Sequence, residues 1–162
     1  MLILDVDGVL TDGRISFGSN DLEIKSFNVR DGHGIKIAKR FDLEIAFVTG
    51  RTSEAVAKRA ADLGITLLYQ GIKDKRKVLD QLLSDLRLSP ERVAAMGDDV
   101  VDIPLFRRVG VGIAVPEAPI EVLREARCIT RRKGGYGAAR EVIEMILRAQ
   151  GKWDRALSRY YQ

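Results

Sequence analysis

Short apolar runs alternate with segments of helical period almost to the end of the chain. "LILDV" (2–6), "EIAFVT" (44–49), "TLLYQ" (66–70), "RVAAMG" (92–97), "VGIAV" (111–115) and "CIT" (128–130) read as buried strands. Between them lie helical patterns. "DGHGIKIAKRF" predicts a helix starting after Asp31, and "SEAVAKRAADL" one capped by Ser53 and stopped at Gly64. "DKRKVLDQLLSDLRL" is strongly amphipathic, "DIPLFRRV" is a short helix with Pro104 in its first turn, and further helices are predicted around 117–126 and over 137–150. One stretch breaks the alternation. "ISFGSNDLEIKSFNV" (15–29) holds two period-2 runs around the turn signal Gly18-Ser19-Asn20-Asp21, the pattern of a β-hairpin.

Strands separated by helices of this length imply βαβ units, hence an α/β fold with a Rossmann-like, doubly wound parallel sheet and a β-hairpin flap. The 162 residues suit one domain, 1–162, with the hairpin at 14–29 and a tail, "GKWDRALSRYYQ", at 150–162. Aromatic residues are only 6% of the chain, so the core is expected to rest on Leu, Ile, Val and Ala. In such sheets ligands bind beyond the carboxyl ends of the strands.

Those ends carry the chemistry. The first strand runs into Asp5-Val6-Asp7-Gly8, the second into Thr49-Gly50-Arg51, the third into a loop reaching Lys75, and the fourth into Gly97-Asp98-Asp99 with Asp102 beyond. Taken singly, Asp7-Gly8 reads as a turn, Thr49 as a cap, Lys75 as part of a solvated face and Asp98-Asp99 as an N-cap pair. Together, five carboxylates on one sheet edge need a cation, and Lys75 is too few. A donor set of oxygens alone favours a hard ion, Mg²⁺ before Zn²⁺. Such a cluster, facing a lysine and a threonine, suits a phosphoryl group. In this reading Asp5 is the nucleophile, Asp7 the acid and base, and Lys75 the neutralising cation. Thr49 and the following amides bind phosphoryl oxygens, Asp98 holds the metal, and Asp99 and Asp102 add a ligand or support it.

The motifs are similar to those of the haloacid dehalogenase-like phosphatases. "DVDGVLTDG", "FVTGR", Lys75 and "MGDDVVD" resemble that family's four motifs in order and spacing. The family usually carries a cap domain, but the 43 residues between Asp5 and Thr49 are used by the hairpin and a helix, and the 25 between Thr49 and Lys75 leave no room for one. The expected fold is therefore a capless haloacid dehalogenase-like fold. "FNVRDGHGI", "YQGIKDK" and "GGYGAAREVIEMILRAQGKW" extend the likeness, from Leu2 to about Trp153, to the 3-deoxy-D-manno-octulosonate 8-phosphate phosphatase subfamily. That resemblance implies a Mg²⁺-dependent homotetramer joined through its hairpins, acting on a phosphorylated sugar acid in lipopolysaccharide precursor synthesis. A neighbour's tail would be able to cover the site. Metal ligands are expected among Asp5, Asp7, Asp98, Asp99 and Asp102. Substrate and phosphate contacts are expected from Thr49, Gly50 and Arg51, with Arg59 and the run Arg131-Arg132-Lys133 weaker candidates. His33 is expected near the site, touching substrate or a neighbour. The chain starts four residues before Asp5, without the family's usual basic N-terminal extension, so the first strand's outer end is expected to be loosely anchored.

Two alternatives stay within the family: a nonulosonate 9-phosphate phosphatase, or a non-catalytic regulatory relative. The net charge of +4 raises nucleic acid as a partner, but the basic residues are interleaved with acids and form no stripe. Cys128 is alone, so no internal disulfide is possible, which fits a reducing cytoplasm; it reads as a small buried residue. No signal peptide or membrane span is visible.

Overall fold

The computed structural model describes residues 1–19 and 22–162. Six strands form one parallel sheet: β1 (Leu2–Leu4), β4 (Ile45–Val48), β5 (Leu67–Tyr69), β6 (Ala94–Gly97), β7 (Val111–Ala114) and β8 (Cys128–Ile129), in the order β5-β4-β1-β6-β7-β8. Leu4 lies opposite Phe47 on one side and Met96 on the other, which makes β1 a central strand. Leu2, Ile3 and Leu4 are at most 1% exposed, so the apolar run has helices on both faces, as its lack of alternation requires.

Those helices are α1 (Val29–Arg40), α2 (Glu54–Leu63) and α6 (Ala138–Ala149) on one face, and α3 (Lys75–Asp85), α4 (Ile103–Phe106) and α5 (Ile120–Glu125) on the other. The chain builds outward from β1 through β4 to β5, then returns to β6 on β1's other side. β1 and β6 therefore flank the point where strand order reverses, the place where doubly wound sheets open a crevice. No further domain interrupts the described residues, so the site carries no cap beyond the hairpin.

Several local expectations change. The outer end of β1 is pinned: the Met1 ammonium donates to Arg92 O at 3.0 Å, and Ala94 N donates to Met1 O. Helix α1 starts two residues before Asp31, because Asn28 accepts from Arg30 N at 2.8 Å and caps it. Ser53 stands at the N-cap position of α2, but its hydroxyl caps nothing; Gly64 closes that helix in the left-handed conformation, φ +67°. Cys128 is half-buried on the edge strand rather than sealed in the core.

The hairpin is shorter than its pattern. β2 (Ser16–Phe17) pairs antiparallel with β3 (Glu23–Ile24), and the Asn20-Asp21 half of the expected turn lies outside the described residues. Burial along β3 and its flanks is inverted relative to an ordinary half-buried strand. Phe17, Leu22 and Ile24 are exposed, whereas Glu23, Lys25 and Phe27 turn inward.

The tail is not free. Its α7 (Trp153–Ser158) buries Trp153 to 4% exposure under the Arg140 and Arg148 guanidiniums, and Lys152 donates to Phe41 O. Tyr160 Oη meets His33 Nε2 at 2.8 Å and accepts from Arg40 at 2.9 Å. The tail thus lies along α1 of its own chain.

Asp31 joins α1 to α6. Its buried carboxylate accepts from Gly137 N at 3.2 Å and Arg140 N at 2.7 Å, capping α6, whose own N-cap residue has no side chain to do so. Asp31→Ala leaves those amides unpaired in a buried setting, an expected loss of about 2 kcal/mol. Thermal unfolding should show a midpoint lowered by roughly 4–8 °C; a change under about one degree would show that the cap is dispensable.

Candidate active site

The sheet aims Asp5 at the crevice. Its amide continues the ladder, donating to Met96 O at 3.0 Å, and its carboxylate Oδ1 accepts from Val6 N at 2.7 Å. The chain then turns at once, with Leu10 and Thr11 amides returning to Val6 O. Gly8 has φ +82°, and a Cβ there would lie 1.9 Å from Asp98 Oδ2. Glycine is required on both counts, and its absent side chain is the space the Asp98 carboxylate occupies.

Lys75 arrives from the first turn of α3, where Asp74 accepts from Arg76 N and sets the helix start. Its Nζ lies 2.9 Å from Asp5 Oδ2 and 2.6 Å from Asp102 Oδ1, and the side chain is only 3% exposed. The other Asp102 oxygen accepts from the Asp98 and Asp99 amides at 3.1 and 3.3 Å. Gly97, at the end of β6, makes room for it, since a Cβ would sit 2.2 Å from Asp102 Cγ. Asp5, Asp98 and Asp102 each offer one oxygen within 4.8 Å of the others.

Three carboxylates and one ammonium leave this cluster negative. Burial, and then the charges of Asp5, Asp102 and Asp99, push Asp98 up to about 7. Burial likewise raises Asp5, to about 6, against the opposing pull of Lys75. Burial alone would lower Lys75, but Asp5 and Asp102 outweigh it and raise the ammonium above its ordinary value. The donor set is all oxygen, compact and short of positive charge, and so fits a hard divalent cation such as Mg²⁺.

The remaining expected residues divide. Thr49 is buried at the end of β4, its Oγ1 accepting from Arg51 N at 3.4 Å, and the loop behind it is closed by Ile72 N donating to Thr49 O. A Cβ on Gly50 would meet only ordinary contact, with Ile72 O at 3.6 Å, so packing does not demand glycine there. Arg51 Nη2 reaches Glu23 of the hairpin at 3.1 Å.

Two expected metal ligands do not join the cluster. The Asp7 carboxylate is paired with Lys25, because the chain has already left the strand and points that side chain toward the hairpin. Asp99 turns outward and caps the short 3₁₀ turn Val100–Asp102 through Val100 N at 2.7 Å. Arg59 contacts Asp62, Asn28 O and the Phe27 ring, and none of the clustered carboxylates. His33 is held by Tyr160, not by the site. In the basic run, Lys133 pairs with Glu117, and the Arg131 and Arg132 amides donate to Glu141.

Sequence reasoning passed over Lys25 and Glu23. The Lys25 side chain is fully buried, donates to Asp7 Oδ1 and lies 3.5 Å from Glu23. A signal existed: in "DLEIKSF" the charged positions alternate with Leu22 and Ile24, so one face of that strand had to be either acid-and-base or apolar.

The match to known proteins follows the same elements. Residues 69–141, from β5 to the start of α6, match the haloacid dehalogenase-like hydrolase family model. The 3-deoxy-D-manno-octulosonate 8-phosphate phosphatase KdsC of Escherichia coli K12 is 49% identical over 156 residues, covering 96% of this chain and 83% of that protein. A crystal structure of a probable YrbI family phosphatase from Pseudomonas syringae superposes with a TM-score of 0.97 at 49% identity, over 99% of this chain and 92% of that one. The 3-deoxy-D-manno-octulosonate 8-phosphate phosphatase of Moraxella catarrhalis, solved with a magnesium ion, a phosphate ion and a KDO molecule, gives 0.96 at 38% identity, over 98% and 91% of the two chains. With identity at this level running the length of a capless sheet whose crevice gathers Asp5, Lys75, Asp98 and Asp102, the chain belongs to the haloacid dehalogenase-like hydrolases, in the 3-deoxy-D-manno-octulosonate 8-phosphate phosphatase family.

Proposed function

We propose that the chain hydrolyses 3-deoxy-D-manno-octulosonate 8-phosphate to the free sugar acid and inorganic phosphate, in the cytoplasm, with residues 1–162 working as one phosphatase domain. The observation that carries this reading is the bridge from Lys75 to both Asp5 and Asp102 beside Asp98, a buried anionic nucleophile held next to a metal-binding carboxylate. Relatives 49% and 47% identical over 96% of the chain bear the octulosonate activity, which supports it over the nonulosonate alternative. A non-catalytic relative would have lost one of Asp5, Asp7, Lys75 or Asp98, and all four are present.

Asp5 attacks phosphorus and forms an aspartyl-phosphate as the ester bond breaks. Asp7 protonates the departing alkoxide, then takes a proton from the water that hydrolyses the aspartyl-phosphate. Lys75 holds the nucleophile's orientation and offsets charge on the transferring group. Thr49 and the Gly50 amide bind phosphoryl oxygens, and Arg51 meets the sugar acid's anionic end. Asp5 and Asp98 would hold Mg²⁺, with Asp102 bracing Lys75 and the Asp98 amide. Bound Mg²⁺ supplies the positive charge that lets one anion approach another.

The exposed apolar side chains of the hairpin support a homotetramer assembled through it. Ile15, Phe17, Leu22 and Ile24 are 43%, 66%, 62% and 49% exposed, and because Phe17 pairs with Glu23 and Ile24 with Ser16, apolar side chains stand open on both sides of the ribbon, suited to burial against copies of the chain.

Three measurements check these assignments. Mg²⁺-dependent phosphate release from the octulosonate ester should exceed that from a nonulosonate 9-phosphate, and Asp5→Asn should lose at least about 10³-fold; full activity in that variant would remove the nucleophile. The second concerns pH. The raised carboxylates hold protons in the folded state that the unfolded chain has released, so metal-free stability falls as pH rises between about 4 and 7. Metal binding needs them ionised, so the rise in unfolding midpoint on adding Mg²⁺ should be at least about twofold larger at pH 8 than at pH 5.5. An equal gain at both values would place the metal elsewhere. Third, sedimentation of Phe17→Glu should show dissociation from the tetramer; an unchanged tetramer would rule the hairpin out as the interface.

A further inference from the structure

The hairpin brings a buried cation to the residue that moves the proton. Lys25 donates to Asp7 Oδ1 and is itself flanked by Glu23, whose Oε1 also binds Arg51 at 3.1 Å. The chain of charges Arg51–Glu23–Lys25–Asp7 thus runs from the end of β4, through the hairpin, to the loop after β1. No packing need explains a lysine with a buried side chain at the base of an exposed ribbon. Its contact does distinguish the two oxygens of Asp7. An ammonium N–H occupies Oδ1, so Oδ1 must accept, and the proton of the acid form sits on Oδ2, which has no partner among the described residues.

We propose that Lys25 is a positioning residue for proton transfer: by holding Asp7 Oδ1 it selects Oδ2 as the oxygen that gives the proton to the leaving group. This rests on the phosphatase reading given above. When the ester P–O bond breaks, the leaving oxygen takes the proton from Oδ2, and Asp7 becomes a carboxylate facing Lys25. Water then attacks the phosphorus of the aspartyl-phosphate and passes a proton back to Oδ2, the Asp5–phosphorus bond breaks, and phosphate leaves. Lys25 itself exchanges no proton, and Glu23 with Arg51 keeps its side chain from swinging away.

The role makes a prediction that a structural one does not. A sugar alkoxide leaves poorly without a proton, whereas 4-nitrophenolate leaves without help. kcat/KM reports only the steps up to departure of the leaving group, so it isolates the acid function of Asp7 from its later function as base. The experiment is kcat/KM for wild type, Lys25→Met, Lys25→Gln, Lys25→Arg and Asp7→Asn on monoesters whose leaving groups run from 4-nitrophenol to a primary alcohol, including the octulosonate ester. Lys25→Met is expected to lose about 30-fold on the alcohol esters and at most about threefold on the aryl ester. Lys25→Arg should recover most of that loss, and Lys25→Gln, which keeps an N–H donor, should fall between. The double variant Lys25→Met/Asp7→Asn should lose no more than Asp7→Asn alone. Should Lys25→Met not fold by circular dichroism, Lys25→Gln against Lys25→Arg carries the same comparison.

An equal loss on alkyl and aryl esters would make Lys25 a phosphate contact or a structural brace and overturn the proposal, as would no loss on either. Asp5→Asn separates this failure from that of the phosphatase reading. If that variant is inactive on every ester while Lys25 substitutions show no dependence on the leaving group, the reading stands and the inference falls. If Asp5→Asn stays active, the reading itself fails.

Discussion

The rest of the molecule is arranged around one buried ammonium shared by two carboxylates. Asp5 and Asp102 come from loops after different strands, and neither would be stable as an anion in that crevice without Lys75 between them. The bridge determines what may stand nearby. Gly97 must lack a side chain so that Asp102 can fold back under the end of β6, and Gly8 must lack one so that Asp98 can approach. It also sets where α3 begins, because the lysine reaches inward only from a first turn that Asp74 has capped. Even so, the cluster keeps an excess of negative charge, and that excess is what makes it a receptor for a divalent cation rather than a closed structural ion pair.

How much of this could be read from the chain follows from what each signal measures. The apolar runs at 2–6, 44–49 and 92–97 showed that the strands are covered on both faces, and strand order then brought Asp5, Thr49, Lys75 and Asp98 to one edge. Direction was harder than proximity. Asp7 follows Asp5 by two residues, which in a continuing strand would put both on one face; β1 instead ends at Leu4, and the turn sends Asp7 to Lys25. Asp99 beside Asp98 likewise shares its neighbourhood but not its orientation. The pairings of Asp31 with α6 and of His33 with Tyr160 join residues more than a hundred positions apart, and no local pattern announces them.

The hairpin sets buried charges beside exposed apolar side chains. An isolated ribbon of two short paired segments has little stability of its own, yet this one turns its charges toward the crevice and its apolar side chains toward solvent. The inward charges tie it to Asp7 and Arg51. The exposed Phe17, Leu22 and Ile24 stand beside those ties. Whatever steadies the ribbon steadies those ties, so the geometry around Asp7 depends on this one mechanical element.

The clasp between Asp31 and α6 also has a bearing on the order in which the protein is made. Its two hydrogen bonds span 106 and 109 positions, and near them Gly135 N donates to Val9 O while Gly134 lies against Gly8. The loop that carries Asp7 leaves the ribosome more than a hundred positions before the segment that seats it. Until residue 140 has emerged, β1 can gather its neighbouring strands but not the backing of its own loop. The centre is thus completed only once residue 140 is out, and a chain ended just after β8 would carry every strand of the sheet while holding an unfinished site.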